Sequence, residues 1–248
     1  MSVWLAHICR HPIKGHGRET LASVRLSAGA CLPYDRHWAV AHEAAKLTGG
    51  WVPCANFARG AKAPTLMAVT STLDEATGTI ALRHPDRPDL RFRPDDPTDL
   101  PAFLDWITPL SPPDRARPAQ IVSVGRGMTD SDFPSVSILS LASLADLSAR
   151  MGHDLSIHRW RGNLWLDGLE PWAEWGWIGR TLCIGEAEFK IEERITRCRA
   201  TSADPDTGVI DADTLGGLDA AFGHQDFGLY ATVTKGGLIA TGDKVTLQ

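Results

Sequence analysis

Glycine and proline interrupt this chain so often that few segments can sustain a helix: 23 glycines and 16 prolines are spread over 248 residues. Glycine loses the most backbone entropy inside a helix, and proline lacks the donor and clashes with the preceding turn. Between the breaks lie short apolar runs, over residues 2–9, 21–26 and 31–40. Residues 65–72 and 79–83 flank Asp74-Glu75-Ala76-Thr77-Gly78, and residues 180–191 alternate around Gly185, both reading as β-hairpins. Residues 227–233 and 238–245, joined through Gly236-Gly237, read as closing strands. The strongest helical signal is Leu141, Leu144, Leu147 and Met151 at helical spacing, with Ser140 as N-cap and Gly152 as stop. A shorter helix is expected over 99–110, with Asp99 as an acidic cap and Pro109 ending it. Residues 84–97 and 211–224 read as loops, and Ser-Pro-Pro-Asp-Arg-Ala-Arg-Pro at 111–118 is the best linker. The expected fold is α+β, mainly β, with a β-rich N-terminal part over 1–110 and a second part over 119–248.

Composition removes several functions. A net charge of −5 argues against a nucleic-acid binder, which normally shows a basic face. No apolar run reaches about 18 residues, so no membrane span is expected, and the first ten residues lack a signal pattern. Five cysteines form no Cys-x-x-Cys pair and leave an odd one, which suits a reducing cytoplasm. His11, His16, His37 and His42 have the spacing of no usual zinc set.

Four stretches carry chemistry. Cys198 stands among Arg194, Arg197 and Arg199, where positive charge favours a thiolate that binds metal or attacks. Asp-Pro-Asp-Thr-Gly at 204–208 follows as a stiff turn. On local chemistry alone, a half-buried cysteine beside solvated arginines is an equal reading. The first strand runs into His11-Pro12-Ile13-Lys14-Gly15-His16-Gly17, a loop whose amides and lysine suit an anion, or simply a flexible turn. Asp35-Arg36-His37-Trp38 offers a guanidinium fork for phosphate, or an arginine paired to its neighbour. The loop through Asp132, Phe133 and Pro134 precedes the main helix, and helix N-termini attract anions. Arg59 and Lys62 lie in an irregular stretch, 47–62, and read as substrate or phosphate contacts or, as the stronger reading, a solvated loop.

Arg-Cys-x-x-Thr-x-x-Asp-Pro-x-Thr-Gly, from Arg197 to Gly208, resembles the cysteine signature of the MOSC family, the molybdenum cofactor sulfurase C-terminal domain. The resemblance extends from Pro12 to Val245, including Ile138-Leu139-Ser140 ahead of the helix, Pro171-Trp172 and the ending Gly228-x-Tyr230 and Gly242-Asp243-x-Val245. It is strongest to the mitochondrial amidoxime reducing components and their bacterial relatives. It implies a pyruvate-kinase-barrel-like MOSC β-barrel with a MOSC N-terminal β-rich domain. It implies a molybdenum-molybdopterin cofactor, with Cys198 as metal ligand and catalytic centre. Lys14, Gly15, Arg36, Asp132, Phe133, Pro134, Arg161, Asn163, Thr196, Arg197 and Tyr230 are then expected to contact the pterin. Gly15 stands where the family has serine, and Gly162 where it has proline, between Arg161 and Asn163. The implied activity is two-electron reduction of N-hydroxylated or N-oxide small molecules. Electrons must come from an external reductase of flavin, iron–sulfur or cytochrome type, since the chain has no such motif itself. The alternative is a sulfur carrier holding persulfide on Cys198, served by a pyridoxal-phosphate cysteine desulfurase, or a cofactor-binding module without turnover.

Overall fold

The computed structural model describes residues 2–248. The chain opens with strand β1 (Val3–Arg10), followed by β2 (Ile13–Lys14), β3 (Glu19–Leu21), β4 (Ser23–Leu26) and β5 (Trp38–His42). A meander of β6 (Thr70–Asp74), β7 (Thr79–His84) and β8 (Arg87–Phe92) leads to helix α1 (Leu100–Ile107) and strand β9 (Pro118–Val122). Then come β10 (Val136–Ser140), helix α2 (Leu141–Met151), β11 (Leu164–Asp167), β12 (Thr181–Ile184) and β13 (Ala187–Thr196). Helix α3 (Thr214–Phe222), β14 (Asp226–Lys235), β15 (Gly237–Ala240) and β16 (Lys244–Leu247) complete the chain.

Seven strands close into a barrel in the order β11-β10-β14-β13-β12-β16-β1, with β1 pairing back to β11. The first strand of the chain therefore closes a barrel built otherwise from the last half. All its pairings are antiparallel except β10 with β11, which α2 connects as a crossover. Inward positions are filled: Leu5, Ile8, Ile138, Leu164, Leu166, Leu182, Ile184, Phe189, Ile191 and Leu229 are fully buried in one cluster. The barrel is a packed core, and any ligand must sit outside its interior.

Outside it, β2-β5-β9 and β6-β7-β8 form two small sheets over a second core around Trp38, Leu66, Phe103 and Ile107. Pro12 and Gly15 bracket β2, so the chain leaves the barrel after β1 and pairs β2 parallel with β5 (Ile13 opposite Trp38). Thus Lys14 is held on one wall while Cys198, just past the end of barrel strand β13, lies on the other.

Helix α2 starts and stops where the pattern places it. Ser140 Oγ accepts from the Ser143 amide, and Gly152 adopts φ 60°. Five local expectations are corrected. Residues 84–97 contain β8, an edge strand that tolerates Pro88 because it pairs only with β7; its Pro-Asp-Arg composition hid it. Residues 211–224 contain α3, obscured by Gly216-Gly217; Asp213 caps it through the Gly216 amide, and a Cβ at Gly217 would lie 2.6 Å from Met151 Sδ. The run at 21–26 splits at Ala22 into β3 and β4, on different sheets. Residues Pro64–Ala68 form a 3-10 turn, and Asp99 accepts the Arg93 amide rather than capping α1.

Candidate functional site

A cleft of about 260 Å³ opens where β2, the turn before β5, and the ends of β13 and β14 converge. Eight of the expected contacts line it: Lys14, Gly15, Arg36, Arg161, Thr196, Arg197, Cys198 and Tyr230.

Its floor is built from cations brought in by unusual backbone. Tyr34 and Arg36 have φ of 59° and 52°, and Arg161 leaves the 3-10 turn Ile157–Trp160 at φ 47°. Non-glycine residues occupy this region only when the surroundings hold them there. The Arg36 amide donates to His11 O at 2.7 Å, and its guanidinium donates to Asp35 and to Arg161 O at 2.7 Å. Arg161 donates to Gly17 O at 3.0 Å and Ile13 O at 3.3 Å and has no carboxylate of its own. Burial and the neighbouring Arg36 bring Arg161 down to about 9, the mark of a cation short of negative partners. Asp35 is fully enclosed and accepts the His11 amide at 2.8 Å. Burial would raise its carboxyl, but Arg36 and His11 hold it well below the usual range. His11 stays neutral, lowered to about 3 by burial and by Arg161, against the pull of Asp35. Lys14, with 5% of its side chain exposed, donates to Met128 O at 2.7 Å and to Asp130 Oδ1 at 2.5 Å.

The opposite wall carries the thiol. The β13–β14 ladder shifts register between Ile191 and Glu193 and again between Arg194 and Thr196, bending the strand end toward the cleft. Arg197 donates to Phe227 O at 2.7 Å and Trp160 O at 2.9 Å, while its Nη2 is buried without a partner. Burial lowers Arg197 to about 10. Cys198 is exposed on the cleft wall, not half-buried, and its carbonyl accepts from the Thr201 amide and hydroxyl at 3.2 and 3.1 Å. The turn behind it is stiff, as the sequence implies: Asp204 Oδ1 accepts the amides of Asp206 and Thr207 at 3.0 and 2.8 Å. Two arginines from elsewhere hold it. Arg18 donates to Pro205 O at 2.7 Å and Asp206 at 2.8 Å; Arg159 lies 3.6 Å from Asp204 and donates two parallel hydrogen bonds to Asp211 at 2.7 and 2.6 Å.

Four expected contacts lie elsewhere. Asn163 sits behind the floor, accepting from the Ser137 amide and hydroxyl at 3.0 and 2.9 Å and donating to Cys9 O. Asp132, Phe133 and Pro134 are off the cleft lining, and Arg126 takes the carbonyls of Asp132 and Phe133 at 2.8 and 3.1 Å. Phe133 instead packs edge-on against Tyr230, 6.3 Å between ring centres. Thr196 lines the cleft, but its hydroxyl is bonded to Asp226 at 2.7 Å.

The sequence reading missed Asp130, Cys54 and the clamp made by Arg18. Of the two cations readable either as contacts or as solvated loop, Arg59 lines the cleft and donates to Cys54 Sγ at 2.6 Å, whereas Lys62 is exposed. Gly15 is the one local signal for this wall: at φ +76° it brings Ala58 O so close that a Cβ would lie 2.8 Å away. A side chain there, serine included, would have to move the loop that carries Arg59.

The MOSC domain family model matches residues 128–246, and the MOSC N-terminal beta barrel domain model matches residues 2–103. The chain is 36% identical over 126 residues to mitochondrial amidoxime reducing component 2 of Bos taurus, covering 46% of this chain and 37% of the relative. It is 34% identical over 146 residues to mitochondrial amidoxime-reducing component 1 of Homo sapiens, covering 53% of this chain and 43% of that one. The matched stretches thus span about two fifths of those relatives' length. Against amidoxime-reducing component 1 of Danio rerio, 24% identity extends over 95% of this chain and 82% of the relative.

Proposed function

For this chain, which belongs to the MOSC domain proteins, we propose a molybdenum-pterin-dependent reductase of N-hydroxylated or N-oxide small molecules. The observation that carries the reading is one cleft with an exposed thiol on one wall and four under-compensated cations beside it.

The donor set fits such a group. Lys14, Arg36, Arg161 and Arg197 face two carboxylates, Asp35 and Asp130, and Asp35 is fully committed within the protein. The unpartnered Arg197 Nη2 and the carbonyl-only partners of Arg161 leave donors for the oxygens of a phosphate. Among the described residues no three His, Cys, Asp or Glu side chains converge. A metal here would be held through the exposed thiol of Cys198, with the cofactor supplying the remaining ligands. When bound, such a cofactor would supply two-electron oxygen-atom-transfer chemistry.

The protein's own part is placement. Lys14, Arg36, Arg161 and Arg197 would hold the anionic end, and the clamped turn after Cys198 keeps the thiol at the cleft. Tyr230, raised to about 12 by burial and by Asp130, stays protonated and can donate a hydrogen bond at the substrate side. Electrons come from a separate flavin, iron–sulfur or cytochrome reductase. Five free cysteines suit the reducing cytoplasm, and among the described residues no helix is long and apolar enough to cross a membrane.

The test is reduction of an amidoxime by the metal-loaded chain with a dye as electron source. Wild type turns over and Cys198→Ala does not; turnover surviving in Cys198→Ala sinks the proposal. Exposure of the Cys198 thiol also suits the second reading, a persulfide carrier served by a cysteine desulfurase. A removable sulfur adduct on Cys198 in metal-free protein would favour it.

A further inference from the structure

The cation floor already holds one anion that is built to leave. Lys14 has two acceptors of different kinds: the Met128 carbonyl at 2.7 Å, part of the backbone, and the Asp130 carboxylate at 2.5 Å. Lys14 is 5% exposed, whereas the Asp130 side chain is 58% exposed and lines the cleft. The loop carrying Asp130 does not depend on that carboxylate. The Met128 amide donates to Arg36 O at 2.8 Å, and Arg126 ties the carbonyls of Gly127, Ser131, Asp132 and Phe133. The carboxylate can therefore swing outward while the backbone and the Lys14–Met128 bond stay in place. The other carboxylate, Asp35, has no such freedom: it is fully enclosed and bonded to Arg36 and to the His11 amide.

We propose that Asp130 is an internal counter-ion that occupies the anion position at Lys14 and is displaced when a phosphate-bearing ligand enters the cleft. This deepens the reading above and rests on it. Burying Lys14 beside Arg36 and Arg161 without an anion is unfavourable, and an exposed aspartate supplies the missing charge in the ligand-free state. The same contact must be broken by the ligand, so Asp130 weakens binding while it protects the empty floor. It also discriminates: a monoanion gains little by replacing a carboxylate, whereas a phosphate dianion brings additional charge and a third acceptor oxygen. While it faces Lys14, Asp130 is held ionised, because Lys14 and Arg36 outweigh the effect of burial.

The experiment is calorimetric titration with inorganic phosphate of the purified full-length chain from a host that lacks the pterin. Asp130→Asn and Asp130→Ser are expected to bind phosphate about ten-fold more tightly than wild type, because the competing carboxylate is gone. Lys14→Met combined with Asp130→Asn should lose the gain. Asp114→Asn makes the same charge change in the linker, 73% exposed and away from the cleft, and should leave affinity unchanged. Equal or weaker binding in both Asp130 variants overturns the placeholder and leaves the anion site standing. Phosphate binding in none of the proteins overturns both.

Discussion

The barrel interior and the cleft on its rim are built from the same strands by opposite rules. Inside, Phe189 and Ile191 of β13 and Leu229 of β14 are fully buried among apolar neighbours. Just past the end of β13, half-buried Arg197 has a buried donor unpartnered, and across the cleft Arg161 donates only to carbonyls. The interior stabilises the fold; the rim holds more positive charge than its own carboxylates, Asp35 and Asp130, offset. The difference lets binding and folding be perturbed separately.

The largest effect is expected inside. Phe189→Ala should lower unfolding free energy by about 3–5 kcal/mol in urea melts, because the closed barrel cannot collapse around the cavity. The next is a pH effect beneath the cleft floor. His11 and His16 are fully buried and lowered to about 3 and 4, by burial first. Between those values and the ordinary histidine pKa near 6.5, the unfolded chain binds protons that the folded chain refuses. Stability therefore falls on acidification, by about 1.4 kcal/mol per pH unit for each histidine. Thermal melts from pH 6.5 to 5 should show this slope, and His16→Asn should reduce it while leaving the share of His11. Ser140→Ala, which removes the cap of α2, should cost about 1 kcal/mol and leave cofactor content unchanged. The smallest stability change belongs to the cleft. Arg161→Met should shift unfolding free energy by less than about 1 kcal/mol, since lost carbonyl bonds are offset by relieved repulsion from Arg36. The same change should weaken phosphate binding more than about ten-fold. A loss comparable to Phe189→Ala would erase the contrast between the two regions.

Legibility follows the same division. Features encoded locally were readable: the hairpin around Gly185, the capped helix after Ser140, the stiff turn after Cys198 and the cations at Lys14 and Arg36. Features made by distant segments were not. Asp130 looks like any loop aspartate until β2 brings Lys14 to it, across 116 residues. Arg18 gives no sign in the sequence that it grips Pro205 and Asp206. Asn163 shows the converse error: an amide at a motif position whose bonds the structure spends on Ser137 and Cys9. Elements with unfavourable composition, β8 with Pro88 and α3 with two glycines, are carried by packing rather than propensity.

The central claim is that Cys198 and the cation floor together hold a molybdenum pterin. The direct measurement is molybdenum and pterin content of the purified chain from a molybdenum-replete host, for wild type and Cys198→Ala, beside a family member known to load. The account predicts about one molybdenum per wild-type chain, with the metal lost from Cys198→Ala. Wild-type protein empty beside a loaded control, or metal retained in full by Cys198→Ala, would contradict it.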